Sequence, residues 1–355
     1  MSDLPEMGKV SRGVFDNVIL PNLGAAHDSI IVGPNHGVDV GVVDIGGGQV
    51  MTLTADPVFI VPQYGWERAA WFAVHILASD AATSGLPPRW MSVDLNLPLS
   101  MTRDELATMW SAFSAEAASL GISIVAGHTG RYAGCDYPMV GGATVMSVGA
   151  ADSYVTPMGG REGDAVIITK GAAIEAAGIF AVTFPDKVAA AYGDQFARKA
   201  EAIFHQMSVV EDCMTAVKAG VRDAGVTSMH DATECGVWGG LFEVAEASGV
   251  GMALDKAAII VQDAVAKICE LFRIDPYTSI SEGTLIITCR PHKAKEIVTR
   301  LSDKGIAASI VGEVVPKERG ITYTEGGRIV KLTHPESDPF WAAFDREIRG
   351  AAARL

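Results

Sequence analysis

Nowhere in this 355-residue chain do about 18 apolar residues run without interruption, so the sequence offers no membrane-spanning helix. Its five cysteines (Cys135, Cys213, Cys235, Cys269 and Cys289) are an odd number with no CxxC pair, which argues against a zinc knuckle and a disulfide framework. Basic residues are outnumbered, 28 Lys and Arg against 42 Asp and Glu, and they form no long run. The net charge of −14 therefore speaks against a nucleic-acid surface. Residues 1–24 lack a basic start followed by an apolar stretch, so no secretion signal is read and a reduced, cytoplasmic setting is expected. Neither a Walker A loop nor a GxGxxG turn after a strand occurs, which removes the common phosphate-binding loops.

What is present is an ordinary soluble balance, 49% hydrophobic and 20% charged, with length enough for two domains. Gly37 to Val43 and Val50 to Thr54 are expected as strands around a Gly46-Gly47-Gly48 hairpin turn. The spacing of Trp71, Val74, Leu77 and Ala78 predicts a helix from Glu67 to about Ser84, stopped by Gly85 and Pro87-Pro88. A strand follows at Trp90 to Leu97. Thr102 then opens a second helix, with Glu105 completing a capping box. Ser123 to Ala126 and Gly141 to Val148 are further strands, and the Gly159-Gly160 turn marks the domain boundary, giving residues 1–155 and 156–355. Beyond it, strands are expected at Ala165 to Thr169, Thr284 to Cys289 and Ser309 to Val315, with a hairpin around Gly326-Gly327. Helices are expected at Asp194 to Gly220, as one helix or two in tandem, and at Leu241 to Ser248, Ala264 to Phe272 and Lys293 to Lys304. The irregular alternation of strands and helices implies an α+β fold with mixed sheets.

Four segments place polar residues where strands and helices end. Gly33-Pro34-Asn35-His36-Gly37-Val38-Asp39 delivers an aspartate to a strand start, and Thr54-Ala55-Asp56-Pro57 places one directly after a strand. Asp80 falls late in an apolar helix, against the helix dipole. Gly127-His128-Thr129-Gly130 is read as a glycine-flanked turn. Each alone has a plainer reading: an Asp beside Gly is a turn former, and a single His is a hydrogen-bonded turn residue. Carboxylates that converge repel one another unless a cation sits among them, and magnesium uses one or two carboxylates plus phosphate oxygens.

The ordered set of motifs resembles the PurM-like (AIR synthase-related) superfamily. Gly33-Pro34 with Gly37-Val38-Asp39-Val40-Gly41-Val42-Val43 is similar to its GxGDDAAV segment, and Thr54-Ala55-Asp56 to its T-x-D segment. The run Ala73-Val74-His75 to Pro88 resembles the helix carrying A-V-x-D-x-x-N-D, and Gly127-His128-Thr129 the GGDT turn. In the second half, Gly163-Asp164-Ala165-Val166-Ile167-Ile168-Thr169 resembles GDxVIxT, His230-Asp231-Ala232-Thr233-Glu234-Cys235-Gly236 the HDxTxGG loop, and Ser281-Glu282-Gly283-Thr284-Leu285 the S-x-G-x-L strand. Within the superfamily the nearest branches are the HypE-like hydrogenase-maturation dehydratases and the thiamine-monophosphate kinases.

The resemblance implies a homodimer with a shared N-terminal β-barrel, a C-terminal α/β sandwich, and Mg–ATP in a cleft. It carries metal ligation onto Asp39, Asp56 and Asp80, and nucleotide or substrate contacts onto Gly33, Gly127, His128, Thr129, Asp231 and Glu234. His230 or Asp231 is expected to orient the acceptor or act as base, and Lys9 and Lys170 are candidates for phosphate contact. Val38 replaces an acid of the pattern, His128 stands for the Asp of GGDT, and Cys235 stands for a loop glycine, read as a small residue tolerated there in preference to a nucleophile. No cysteine follows Cys289, which disfavours modification of a C-terminal cysteine, and none precedes Cys135, which disfavours the selenophosphate branch. The expected activity is phosphorylation or activation of an oxygen of a small-molecule or amide acceptor. The alternative, motivated by the lost acids, is a non-catalytic ATP-binding scaffold or maturation factor.

Overall fold

The computed structural model describes residue 4 and residues 10–352. After a short helical turn, α1 (Arg12–Val14), the first half contains six strands: β1 (Ile30–Val32), β2 (Gly41–Gly46), β3 (Gln49–Phe59), β4 (Trp90–Leu97), β5 (Ser123–Arg131) and β6 (Met139–Ala150). They form one sheet in the order β1-β2-β3-β6-β4-β5, in which only the β4–β5 pair is parallel. The helices α2 (Trp66–Ala82) and α3 (Arg103–Ser119) cover one face. Strand alternation sends Val58, Met91, Val93, Leu95, Ala143 and Val145 into that covered face. The capping box on α3 is present as expected: Glu105 N–H donates to Thr102 Oγ1, and Glu105 Oε2 accepts from Thr102 N–H at 2.7 Å.

The second half holds seven strands and eight helices. In chain order these are β7 (Ala165–Thr169), α4 (Ile174–Thr183), α5 (Pro185–Tyr192), α6 (Asp194–Glu201), α7 (Val210–Ala216), β8 (Val226–Ala232), α8 (Gly236–Ser248) and β9 (Gly251–Asp255). Then come α9 (Asp263–Phe272), β10 (Thr284–Cys289), α10 (Ala294–Asp303), β11 (Ala308–Val315), β12 (Ile321–Glu325), β13 (Arg328–Lys331) and α11 (Pro339–Ala352). The sheet order is β13-β12-β9-β11-β7-β10-β8. Every residue of β8 and β10 is buried, as in a sheet covered on both faces.

Several expectations shift. The first sheet is open, with β1 and β5 at its edges, so it does not close into a barrel within one chain. The expected strand from Gly37 begins only at Gly41, because residues 33–40 form a turn in which Val38 N–H donates to Asn35 O. Asp56 lies inside β3 and not after it, and Gly127 to Gly130 lie inside β5 and not in a turn. Of the two readings of Asp194 to Gly220, the tandem one holds: α6 and α7 follow one another, with 3-10 turns after each.

The halves meet along α2. Ser79 Oγ accepts from Val209 N–H at 3.0 Å, His75 Nδ1 lies 2.8 Å from Ser208 Oγ, and Gly85 packs against Val217 and Met229. One continuous apolar cluster includes residues from both sides. On the far side of it, Phe180 stacks on Phe272 at 4.0 Å and meets Phe340 of α11 at 5.1 Å. Phe180→Ala should therefore lower unfolding stability by about 3–5 kcal/mol. A shift of the denaturation midpoint measured by circular dichroism checks this, and an unchanged midpoint would refute it.

Candidate functional site

The seam between the halves is where the acids collect. Asp39 comes from the loop before β2, Asp56 from β3 and Asp80 from the last turn of α2. His230 and Asp231 come from the end of β8, the edge strand of the second sheet. Ligand atoms of Asp39, His230 and Asp231 lie within 4.8 Å of one another, close enough to hold a metal ion. Asp231 is fully buried, and neither of its carboxylate oxygens has a hydrogen-bond donor. Burial, then Asp39, raises its pKa. Burial and the neighbouring Asp231, Asp56 and Asp39 push Asp80 well above the usual carboxylate range. Carboxylates that face carboxylates must bind protons or a cation, so the donor set fits a hard divalent ion.

The acidic ground continues inward. Glu282, just before β10, is 2% exposed with Oε1 unpartnered, and its pKa is raised well above normal by burial, Asp231 and Glu175. Glu175, in the first turn of α4, accepts from Glu282 N–H at 3.0 Å, and burial raises it to about 7. Glu234 lies near enough to Glu175 and Asp338 to raise both. Asp338 accepts from the backbone N–H of Cys235 at 2.7 Å, and Cys235 is itself buried with Sγ 3.8 Å from Pro335 O. Segment 335–338 thus closes over the loop that opens α8.

Two expected residues have other work. His230 was a candidate base, but its Nδ1 lies 2.5 Å from Asp39 Oδ2 and its Nε2 lies 2.9 Å from Glu243 Oε2. Burial opposes its charge, yet Asp39 and Glu243 hold its pKa well above normal. An imidazolium that donates from both nitrogens has no lone pair with which to take a proton. Lys170 was a candidate phosphate contact, but its Nζ donates to Asp212 at 2.7 Å, Ser208 O at 2.7 Å and Gly283 O at 2.9 Å. Its three protons are committed inside the C-terminal half.

The β5 residues stand apart from the acids. Asp56 pairs with Ala143, Ala143 with Val93 and Val93 with Gly127, which puts three strand spacings, about 14 Å, between Asp56 and Gly127. His128 and Thr129 are exposed on that edge, and His128 Nε2 is 2.9 Å from Tyr132 Oη. Gly127 has a packing reason of its own: a Cβ there would sit 2.4 Å from Val93 O. Gly33 is half-buried, where a Cβ would make ordinary contact with Ile30 Cγ2 at 3.7 Å, and Lys9 lies outside the described residues. Sequence reasoning missed Glu243, Glu175 and Asp338 as members of this site. Glu243 carried a faint signal, an acid beside the buried Leu241, Val244 and Ala245 on α8.

Fold and site together define a two-domain α+β protein with a carboxylate-lined seam that calls for a cation. The N-terminal domain of the AIR synthase related proteins matches residues 37–151, and their C-terminal domain matches residues 161–324. Together they span most of the chain, which belongs to this PurM-like family. The chain is 28% identical over 249 residues to carbamoyl dehydratase HypE of Escherichia coli (strain K12), covering 68% of each chain. It is 26% identical over 317 residues to carbamoyl dehydratase HypE of Rhizobium leguminosarum bv. viciae, covering 85% of each. Among solved structures, HypE in complex with ATP aligns with a TM-score of 0.62 and 19% identity, over 96% of this chain and 99% of that one. A thiamine-monophosphate kinase-like structure, ThiL complexed with AMPPCP and TMP, aligns with a TM-score of 0.65 and 18% identity, over 85% and 90%. These last two likenesses concern the fold.

The raised carboxylates and the clamped histidine have one sign. A group whose folded pKa exceeds its unfolded value stabilises the fold below the unfolded value, and that stability is lost as pH rises through the folded value. For Glu175 this window runs from its ordinary 4.5 to about 7, and for Asp338 from 3.8 to about 6. His230 loses its contribution above 6.5, in the same direction. The metal-free protein should therefore melt at a lower temperature at about pH 7.5 than at about pH 5. Thermal melts in a chelator test this, and Glu175→Gln should flatten the slope. A melting temperature that rises with pH would contradict the assignment.

Proposed function

We propose that the chain is an ATP-dependent enzyme that uses Mg–ATP to phosphorylate, or otherwise activate, an oxygen of a small-molecule or amide acceptor. The observation that carries this is the convergence of Asp39, Asp56, Asp80 and Asp231 from both halves, with Asp231 buried and without a donor. Magnesium bound by these acids would neutralise charge on the phosphoryl oxygens. Asp39, Asp56 and Asp80 are the proposed ligands, and Asp231 joins them in place of the base role first considered. His230 holds Asp39 in place, and no proton transfer is assigned to it. Glu234, on the loop that opens α8, is the proposed substrate-side contact. The names of the relatives, dehydratases and a nucleotide-bound kinase, support an ATP-using reaction and leave the acceptor open.

A homodimer is part of this reading. The uncovered face of the N-terminal sheet carries Met51, Leu53, Trp90 and Met146 beside Ser92, Asp94 and Thr144, and Val125 is exposed on the β5 edge. An apolar face without a cover favours a second sheet against it, and two such sheets could complete a barrel. His128 and Thr129, remote from the acids of their own chain, would then serve a nucleotide only across that interface. The division at 155/156 is kept, supported by family matches that stop at 151 and resume at 161. No helix among the described residues is long and apolar enough to cross a membrane. A cytoplasmic setting is proposed on the sequence alone.

The scaffold alternative separates in one set of measurements. Mg–ATP at a hundredfold excess over Kd should stabilise the wild-type protein by about 2.7 kcal/mol. Asp56→Ala and Asp231→Ala should each abolish that stabilisation together with acceptor-dependent release of ADP. Stabilisation of the wild type without turnover on any acceptor would favour the scaffold, and no stabilisation at all would refute both readings.

A further inference from the structure

Glu243 belongs to neither the proposed ligands nor the acidic pocket beyond them, yet it touches the metal loop in two ways. Through His230 it reaches Asp39: Glu243 Oε2 accepts from Nε2 at 2.9 Å while Nδ1 donates to Asp39 Oδ2 at 2.5 Å. It also backs the loop directly, since a Cβ at Gly37 would lie 3.1 Å from Glu243 Cβ. Gly37 has φ +70, a left-handed conformation that lets the chain pass close to α8. Within residues 33–40 the loop has only short-range bonds of its own: Val38 N–H to Asn35 O, and His36 N–H to Asn35 Oδ1.

We propose that Glu243 is a positioning residue which, acting through His230, fixes the Asp39 carboxylate in the orientation that receives magnesium and so couples the metal loop of the N-terminal domain to α8 of the C-terminal domain. The inference rests on the Mg–ATP reading above. Two features support it. His230 occupies Oδ2 of Asp39 and no described residue hydrogen-bonds to Oδ1, so one oxygen is held and the other is presented. All three side chains of the relay are nearly shielded from water, with 3% of the His230 side chain, 15% of Asp39 and 14% of Glu243 exposed, so the bonds between them are not competed away by solvent.

The competing arrangement makes His230 itself a metal ligand, since it falls in the same close group as Asp39 and Asp231. A ligating nitrogen needs its lone pair free for the metal, and here each nitrogen already lies within hydrogen-bond distance of a carboxylate oxygen. Partners that orient metal ligands in this way commonly contribute 10–100-fold to affinity.

The test compares Glu243→Gln, whose amide oxygen can still accept from Nε2–H, with Glu243→Met, which keeps the length and loses the acceptor. Magnesium is titrated calorimetrically into each full-length variant in the presence of a non-hydrolysable ATP analogue, with circular dichroism reporting the fold. E243M should weaken magnesium about 10–100-fold, and E243Q should keep most of the affinity. A folded E243M that binds magnesium like the wild type would overturn the positioning role while leaving the Mg–ATP reading intact. Failure of the wild type to bind magnesium with the analogue would overturn both. A second measurement needs no variant: wild-type protein loaded with Mn2+ should show no directly coordinated histidine nitrogen in pulsed EPR. A strong nitrogen coupling lost in His230→Gln would make His230 a ligand and overturn the relay.

Discussion

Mutual repulsion of carboxylates at the seam between the two domains is the constraint to which the rest of the structure answers. Asp39, Asp56 and Asp80 come from one side and Asp231, Glu282 and Glu175 from the other, and burial sharpens every pairwise term. Such a set cannot be held by the acids themselves. It is held because each sits on an element anchored elsewhere: Asp80 on an apolar α2, Asp56 in the middle of the long β3, and Asp231 on a strand with every residue buried. Asp39 is the exception. It rides on a loop, and it is the acid with a cationic partner, His230, reaching across from the other domain.

That asymmetry orders the cations of the region. His230 is spent on Asp39 and Glu243, and Lys170 on Asp212 and two carbonyl oxygens. Asp231 and Glu282 are left facing each other's charge, with oxygens that have no donor. The negative charge that remains is concentrated where Mg–ATP is proposed to bind. Lys170 ties β7 to α7 and to the turn before β10, so its role is to brace the elements that carry Glu282.

Local chemistry made part of this legible in the sequence. Thr102 with Glu105 announces the start of α3, and β4, β7 and β10 fall where the apolar runs and their flanking turns put them. The acids Asp39, Asp56 and Asp80 were legible through motif resemblance, though their setting was not: β3 continues through Asp56 and Pro57, and β5 through His128, because strand pairing with β6 and β4 overrides the Gly and Pro signals. Alpha-helix α4 gave no period to detect. It is apolar nearly all round, from Ile174 to Val182, as a helix sunk in a core must be. Glu243, despite its faint signal on α8, was missed for a different reason. Its meaning lies in the distance to a histidine thirteen residues earlier and to an aspartate on another domain, and no spacing rule encodes that geometry.

The same seam sets a limit on stability. Each raised carboxylate records a free-energy cost of holding its charge at the seam, and a bound cation would offset it. The apolar cluster that runs from α2 through α4, α7 and α9, with Phe180, Phe272 and Phe340 among its members, holds the domains together against that repulsion. Domain apposition and cation binding are thus linked thermodynamically, because only the apposed state gathers acids from both sides. A ligand that neutralises them must favour closure by the margin with which it prefers the gathered set. Asp39 rides on a loop and not on a helix or strand, so closure would be felt there through the histidine that already spans the gap.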